Sequence, residues 1–144
     1  MREILYDAYE DESPSIGSVI NMTEFEDKKI TEVRLNETNK YDILVVTFED
    51  GIKLYIYDDG QSCCESRYVT TDDNIQDMVG HSLVGITIKN HIDGDTHEQI
   101  FIDILTTNGS IVLCSHVESN GYYGGFNLKI EKEVPDIKEE KPNE

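Results

Sequence analysis

Asp103, Cys114 and His116 are of the types that build a nucleophile, its general base and the group that orients that base. They lie on two runs, Gln99 to Thr107 and Ser110 to Val117, joined by Asn108-Gly109, and Asn-Gly is the strongest short signal for a β-hairpin. Pairing Thr107 with Ser110 puts Asp103 across from Cys114 and Phe101 across from His116 on one face, while Ile100, Ile102, Ile104, Ile111, Leu113 and Val117 share the other as core. Geometry argues against catalysis. Cys114 and His116 are two apart on one strand, about 6–7 Å between their Cα atoms, and a regular pleat supplies no oxyanion hole. The expectation is a buried or half-buried polar cluster, with no catalytic residue and no enzyme activity.

Metal ligation is the next chemistry to weigh. Cys63, Cys64, Cys114, His81, His91, His97 and His116 are enough soft ligands, but adjacent cysteines do not easily turn both sulfurs to one tetrahedral ion, and no Cys-x-x-Cys spacing exists. Asp93-Gly94-Asp95 lacks the ligand spacing of a calcium loop. Neither a metal nor any other cofactor is expected. Two stretches have the makings of a ligand site. In Ser119-Asn120-Gly121-Tyr122-Tyr123-Gly124-Gly125, tyrosines flanked by glycines can stack on a flat ligand, which makes Asn120, Tyr122 and Tyr123 candidates; the plain alternative is a loop that covers the sheet end. Arg67, with Tyr68 beside it, is the best-placed cation for an anionic ligand, and its plain alternative is an ion pair with one of the many carboxylates.

The elements that must position these groups are mostly strands. Ile43 to Glu49 and Ile52 to Tyr57 are rich in β-branched and aromatic residues, and Asp50-Gly51 between them suits a two-residue turn. That turn places Glu49 opposite Ile52. It sorts Ile43, Val45, Ile52, Leu54 and Ile56 onto one face and Leu44, Val46, Phe48, Tyr55 and Tyr57 onto the other, so both faces of this pair are apolar and a covering layer is expected on each. Thr71 as N-cap, Asp72 and Asp73 in the first turn, Ile75, Met78 and Val79 on one face and Gly80 at the end predict a two-turn helix over 72–79. Further strands are expected at Ile30 to Leu35, Leu83 to Lys89 and Phe126 to Glu131. The fold class is mainly β within α+β: about seven strands in a mostly antiparallel curled sheet, barrel or small sandwich, with one short helix. Three regions follow: 1–29 as an acidic, partly irregular N-terminal arm in which Ser15 to Ile20 is a short strand or a loop, 30–131 as a single β-rich domain, and 132–144 as a disordered charged tail.

Asp59-Gly60-Gln61-Ser62-Cys63-Cys64-Glu65, the acidic segment ending in Val79-Gly80, and the later Ser119-Asn120-Gly121-Tyr122-Tyr123 together resemble an uncharacterised family of small bacteriophage and prophage proteins, in which an Asp-Cys-Cys-Glu tract and a Ser-Asn-Gly-Tyr-Tyr tract recur in this order. The resemblance runs over about Ile30 to Ile130. This chain has Ser62 where the family usually has Asp, Gly124 where it usually has Ser, and no Trp. The resemblance implies a phage origin and a compact β-rich domain, and it implies no established activity.

Composition narrows the function classes. Lys+Arg 12 against Asp+Glu 30 gives a formal charge of −18, which repels a phosphate backbone, so direct nucleic-acid binding is not expected. No apolar run is long enough to cross a bilayer, no membrane partner is expected, and three cysteines, two of them adjacent, read as reduced thiols of a cytoplasmic protein; the resemblance implies that the cytoplasm is that of a bacterial host. The expected function is that of a phage-encoded accessory protein for host takeover or counter-defence, which binds and inhibits a host bacterial protein through its acidic surface. The alternative is a sponge for a small nucleotide-derived immune signal held by the tyrosine-glycine loop and Arg67; a homo-oligomer is compatible with either.

Overall fold

Ten strands form among the described residues of a computed structural model, which cover 2–7, 18–20, 22–37, 42–58, 66–93, 97–118 and 128–135. They are β1 (Arg2–Asp7), β2 (Ser18–Ile20), β3 (Ile30–Glu37), β4 (Asp42–Phe48), β5 (Lys53–Asp58), β6 (Ser66–Thr70), β7 (Leu83–Asp93), β8 (His97–Thr106), β9 (Gly109–Glu118) and β10 (Leu128–Glu133). Two antiparallel five-stranded sheets result, ordered β1-β10-β5-β4-β3 and β2-β7-β8-β9-β6. Neither closes into a barrel. The inward side chains of both form one core: Leu44, Val46, Phe48, Leu54, Ile56 and Ile130 from the first sheet, and Ile86, Ile88, Ile100, Ile102, Ile104 and Leu113 from the second.

The segment 1–29, expected as an arm, contributes an outer strand to each sheet. β1 pairs with β10 and β2 with β7. Between β2 and β3 a 3-10 turn at Thr23–Phe25 drives Phe25 into the core, fully buried and stacked on Phe48 with ring centroids 4.8 Å apart. Of the expected tail, Lys132 and Glu133 belong to β10, and 136–144 lie outside the described residues.

Both hairpins are present, and each closes in a register other than the expected one, the first shifted by one residue and the second by two. In the first, Gly51 N–H donates to Phe48 O and Phe48 N–H donates to Ile52 O, so the loop is Glu49-Asp50-Gly51 with Gly51 at φ +90. This is the three-residue, glycine-bulge form of the turn. A Cβ on Gly51 would also lie 3.1 Å from Pro135 Cγ. One added loop residue changes which faces coincide: Leu44, Val46 and Phe48 join Leu54 and Ile56 in the core, whereas Ile43, Val45, Tyr55 and Tyr57 lie together on the outer face. In the second hairpin Thr106 pairs with Gly109, whose φ is +120, and Thr107-Asn108 makes the turn. The shift is by two residues, which preserves the faces and changes every partner across the ladder.

The expected helix at 72–79 is a 3-10 turn at Ile75–Met78, capped by Asn74, whose side chain accepts from Gln76 N–H. Two α-turns are marginal alone. This segment instead binds the rim of the first sheet: Gly80 N–H donates to Ile30 O, Ile30 N–H to His81 O, and the Gln76 side chain to Val33 O. At the opposite corner Asp42 accepts from Val69 N–H at 2.8 Å, tying β4 to β6. Among the described residues no helix is long and apolar enough to cross a membrane.

Candidate functional site

On a strand, neighbouring side chains point to opposite faces, and this rule separates the two members of the expected Arg67–Tyr68 site. Arg67 points inward. Its Nη1 lies 2.7 Å from Asp58 Oδ1 of β5, with side chains 6% and 3% exposed, so the guanidinium joins the two sheets in a buried ion pair. Tyr68 points outward and lies flat on His116, centroids 4.5 Å apart and planes 10° apart. The pairing of β6 with β9 sets this contact, since Tyr68 is directly across from His116 and Thr70 across from Cys114.

The outer face of β6, β8 and β9 therefore gathers a chain of hydrogen bonds. His116 Nδ1 is 2.9 Å from His97 Nε2, and His116 Nε2 is 2.8 Å from Thr70 Oγ1. Tyr68 donates its phenol hydrogen to Glu118, whose carboxylate also lies 3.9 Å from His97 Nε2. That acceptor, together with burial, pushes the Tyr68 phenol up to about 12. Burial lowers the basicity of His116, the charge of a protonated His97 lowers it further, and Glu118 opposes both. Cys114 is buried, and burial pushes its thiol up despite a hydrogen bond from Gln99 at 3.5 Å. A protonated thiol is a poor nucleophile.

The expected polar cluster is thus present in part and differently joined. Cys114 is across from Phe101, His116 across from Gln99, and Asp103 across from Val112, so Asp103 is not the partner of Cys114. Gln99, Thr70 and Glu118 are the site residues that reasoning from the sequence missed, and His97 entered it only as a soft metal ligand. Their signal was the turn: closing the hairpin at Thr107-Asn108 instead of Asn108-Gly109 brings Gln99 opposite His116. Beside the cluster a cleft of about 230 Å3 is lined by Thr70, Thr71, Asp72, Asp73, Phe101, Val112 and Cys114. Its rim is fixed by Thr71, which donates to Val112 O, and by Asp73, which accepts from Val112 N–H. No set of three or more His, Cys, Asp or Glu side chains among the described residues has the arrangement to hold a metal ion. Asn120, Tyr122, Tyr123 and the Cys63-Cys64 pair lie outside the described residues.

A family model described as a domain of unknown function (DUF7448) matches residues 17–128. The chain belongs to the DUF7448 family. The DUF7448 span includes Tyr68, Thr70, His97, Gln99, Cys114, His116 and Glu118, so the whole outer-face cluster falls within it, whereas β1 falls outside. Neither the curated proteins nor the solved structures give a match to the chain.

Proposed function

We propose that this DUF7448 protein is a phage-encoded, non-enzymatic accessory protein that acts in the cytoplasm of the infected cell by docking its acidic surface onto a host protein that normally binds a polyanion. The observation that carries the reading is how the chain uses its few cations. Of Lys+Arg 12 against Asp+Glu 30, Arg2, Lys28, Arg34, Arg67 and Lys132 are held by carboxylates of the same chain, namely Glu131, Asp50, Glu32, Asp58, and the pair Glu3 and Glu24. The surplus carboxylates, with Glu26, Asp27, Asp72 and Asp77 among the exposed ones, have little positive charge left to screen them. A field of one sign accelerates encounter with a basic surface and makes it salt-dependent. The high thiol affinity of Cys114 for its proton and the separation of Asp103 from it favour binding over catalysis.

The sponge reading required Arg67 as the ligand's cation. With that guanidinium committed to Asp58 inside the sandwich, the reading keeps no supporting contact among the described residues.

The test is affinity capture from bacterial lysate at low and high salt, with the E26Q/D27N/D72N/D77N variant in parallel. Expected is a protein retained at low salt, released by added DNA, and lost with the variant. Retention of the same protein by the variant, or no retention at low salt, would overturn the proposal.

A further inference from the structure

His97 and His116 present a problem of counting hydrogens. At 2.9 Å between His97 Nε2 and His116 Nδ1, only one hydrogen fits, so one of the two nitrogens must offer a lone pair. At the other end of the His116 ring, the Thr70 hydroxyl, 2.8 Å from Nε2, donates or accepts as the tautomer requires. A neutral pair is therefore satisfied. So is a pair in which His97 carries the extra proton, because His97 Nε2–H donates to His116 and the Glu118 carboxylate, 3.9 Å from the same nitrogen, offsets the charge. A second proton has no place. Two N–H groups would then face each other between cations whose ring centroids are 5.1 Å apart.

Among the described residues, the titratable groups facing His116 are His97 from β8, Tyr68 from β6, and Cys114 and Glu118 from β9. On the far side of β8, β7 places Ile92 across from Gln99. The one carboxylate in this set is already occupied by the Tyr68 hydroxyl. We propose that His97 and His116 form a proton-operated latch across β6, β8 and β9, closed while one of the facing nitrogens is bare and opened when both are protonated, so that His116 leaves its place against Tyr68. Because β9 ends at Glu118, two residues beyond the latch, opening frees the rim of the second sheet at the point where the chain leaves it.

The experiment is a pH titration of the full chain followed by the imidazole ring protons in NMR, with H97Q and H116Q for assignment. At neutral pH the ring protons of His116 should lie upfield under the Tyr68 ring. Glutamine at 97 can turn its carbonyl toward a protonated Nδ1, so in H97Q the His116 midpoint should rise by roughly half a pH unit or more. The sign for stability follows from the lowered basicity of His116: its contribution is complete above its ordinary value of 6.5 and is lost as pH falls toward the folded midpoint. Wild type should accordingly lose urea midpoint relative to H116Q between about pH 7 and about pH 5, the carboxylates common to both cancelling. An unchanged His116 midpoint in H97Q overturns the latch. Should H97Q fail to fold, the wild-type titration alone decides, since an upfield position that persists after His116 has taken up its proton also overturns it.

Discussion

The outer faces of the two sheets solve the same problem in different ways. On the first sheet, long charged side chains flank an apolar outer patch and are held in fixed pairs: Arg2 lies 3.8 Å over the Tyr55 ring and binds Glu131, while Tyr55 donates to Glu133. The Tyr55 hydrogen bond holds the Glu133 carboxyl below its usual range against the opposing effect of burial. Tyr55, Tyr57 and Ile43 end up buried beneath these side chains without any covering helix or third layer among the described residues. The second sheet presents shorter groups, two imidazoles, a thiol, a threonine and an amide, joined by bonds whose direction depends on where protons reside. A face of permanent charges is a lid, and a face whose hydrogen bonds run through a pair of imidazoles is a responsive surface.

The largest test of this contrast removes what joins the two faces. Arg67→Ala removes the buried guanidinium that Asp58 holds at 2.7 Å and should cost about 3–5 kcal/mol in urea unfolding. Loss near zero would mean that the sheets do not depend on this clasp. Phe25→Ala should cost a comparable amount, about 3–5 kcal/mol, because a fully buried ring stacked on Phe48 leaves a cavity; a solvated arm would tolerate the change. On the lid, Arg2→Ala should lose only about 1 kcal/mol, as its guanidinium is partly exposed and its ion pair is screened. On the responsive face the sharper readout is titration. The Tyr68 phenol, at about 12 in the wild type, should drop back toward 10 in Glu118→Gln by ultraviolet absorbance, and stability owed to it is full below about pH 10 and lost as pH rises through the folded value. Smallest is Cys114, whose alkylation by iodoacetamide near neutral pH should be much slower in the folded protein than in urea, with Cys63 and Cys64 replaced by Ser.

What the amino-acid order made legible was the period of two. The isoleucines of β8 and the alternation of β9 assign their faces correctly, and with them the outward position of Cys114 and His116. Register was less accessible, because Asp-Gly and Asn-Gly mark a turn without fixing how many residues it spans. The first hairpin takes one more loop residue and the second closes before its glycine, and each change reassigns neighbours that only a pairing ladder can identify. β1 and β6 were not recognised as strands, since Arg2, Glu3 and Asp7 or Ser66 and Arg67 carry little β signal, and their pairing to β10 and β9 supplies the order. The 72–79 segment has sound helix chemistry and yields to a competing offer, the unpaired backbone of Ile30 and Val33.

That offer has a consequence for the protein at high concentration. An eight-residue border strand with bare amides is a template on which other chains polymerise. The crossing of Gln76 to His81 over β3, and the Asp42 carboxylate on Val69 of β6, occupy such templates with the molecule's own atoms. A chain cut or mutated so that 76–81 lifts away should remain folded at its centre and yet begin to form fibrils.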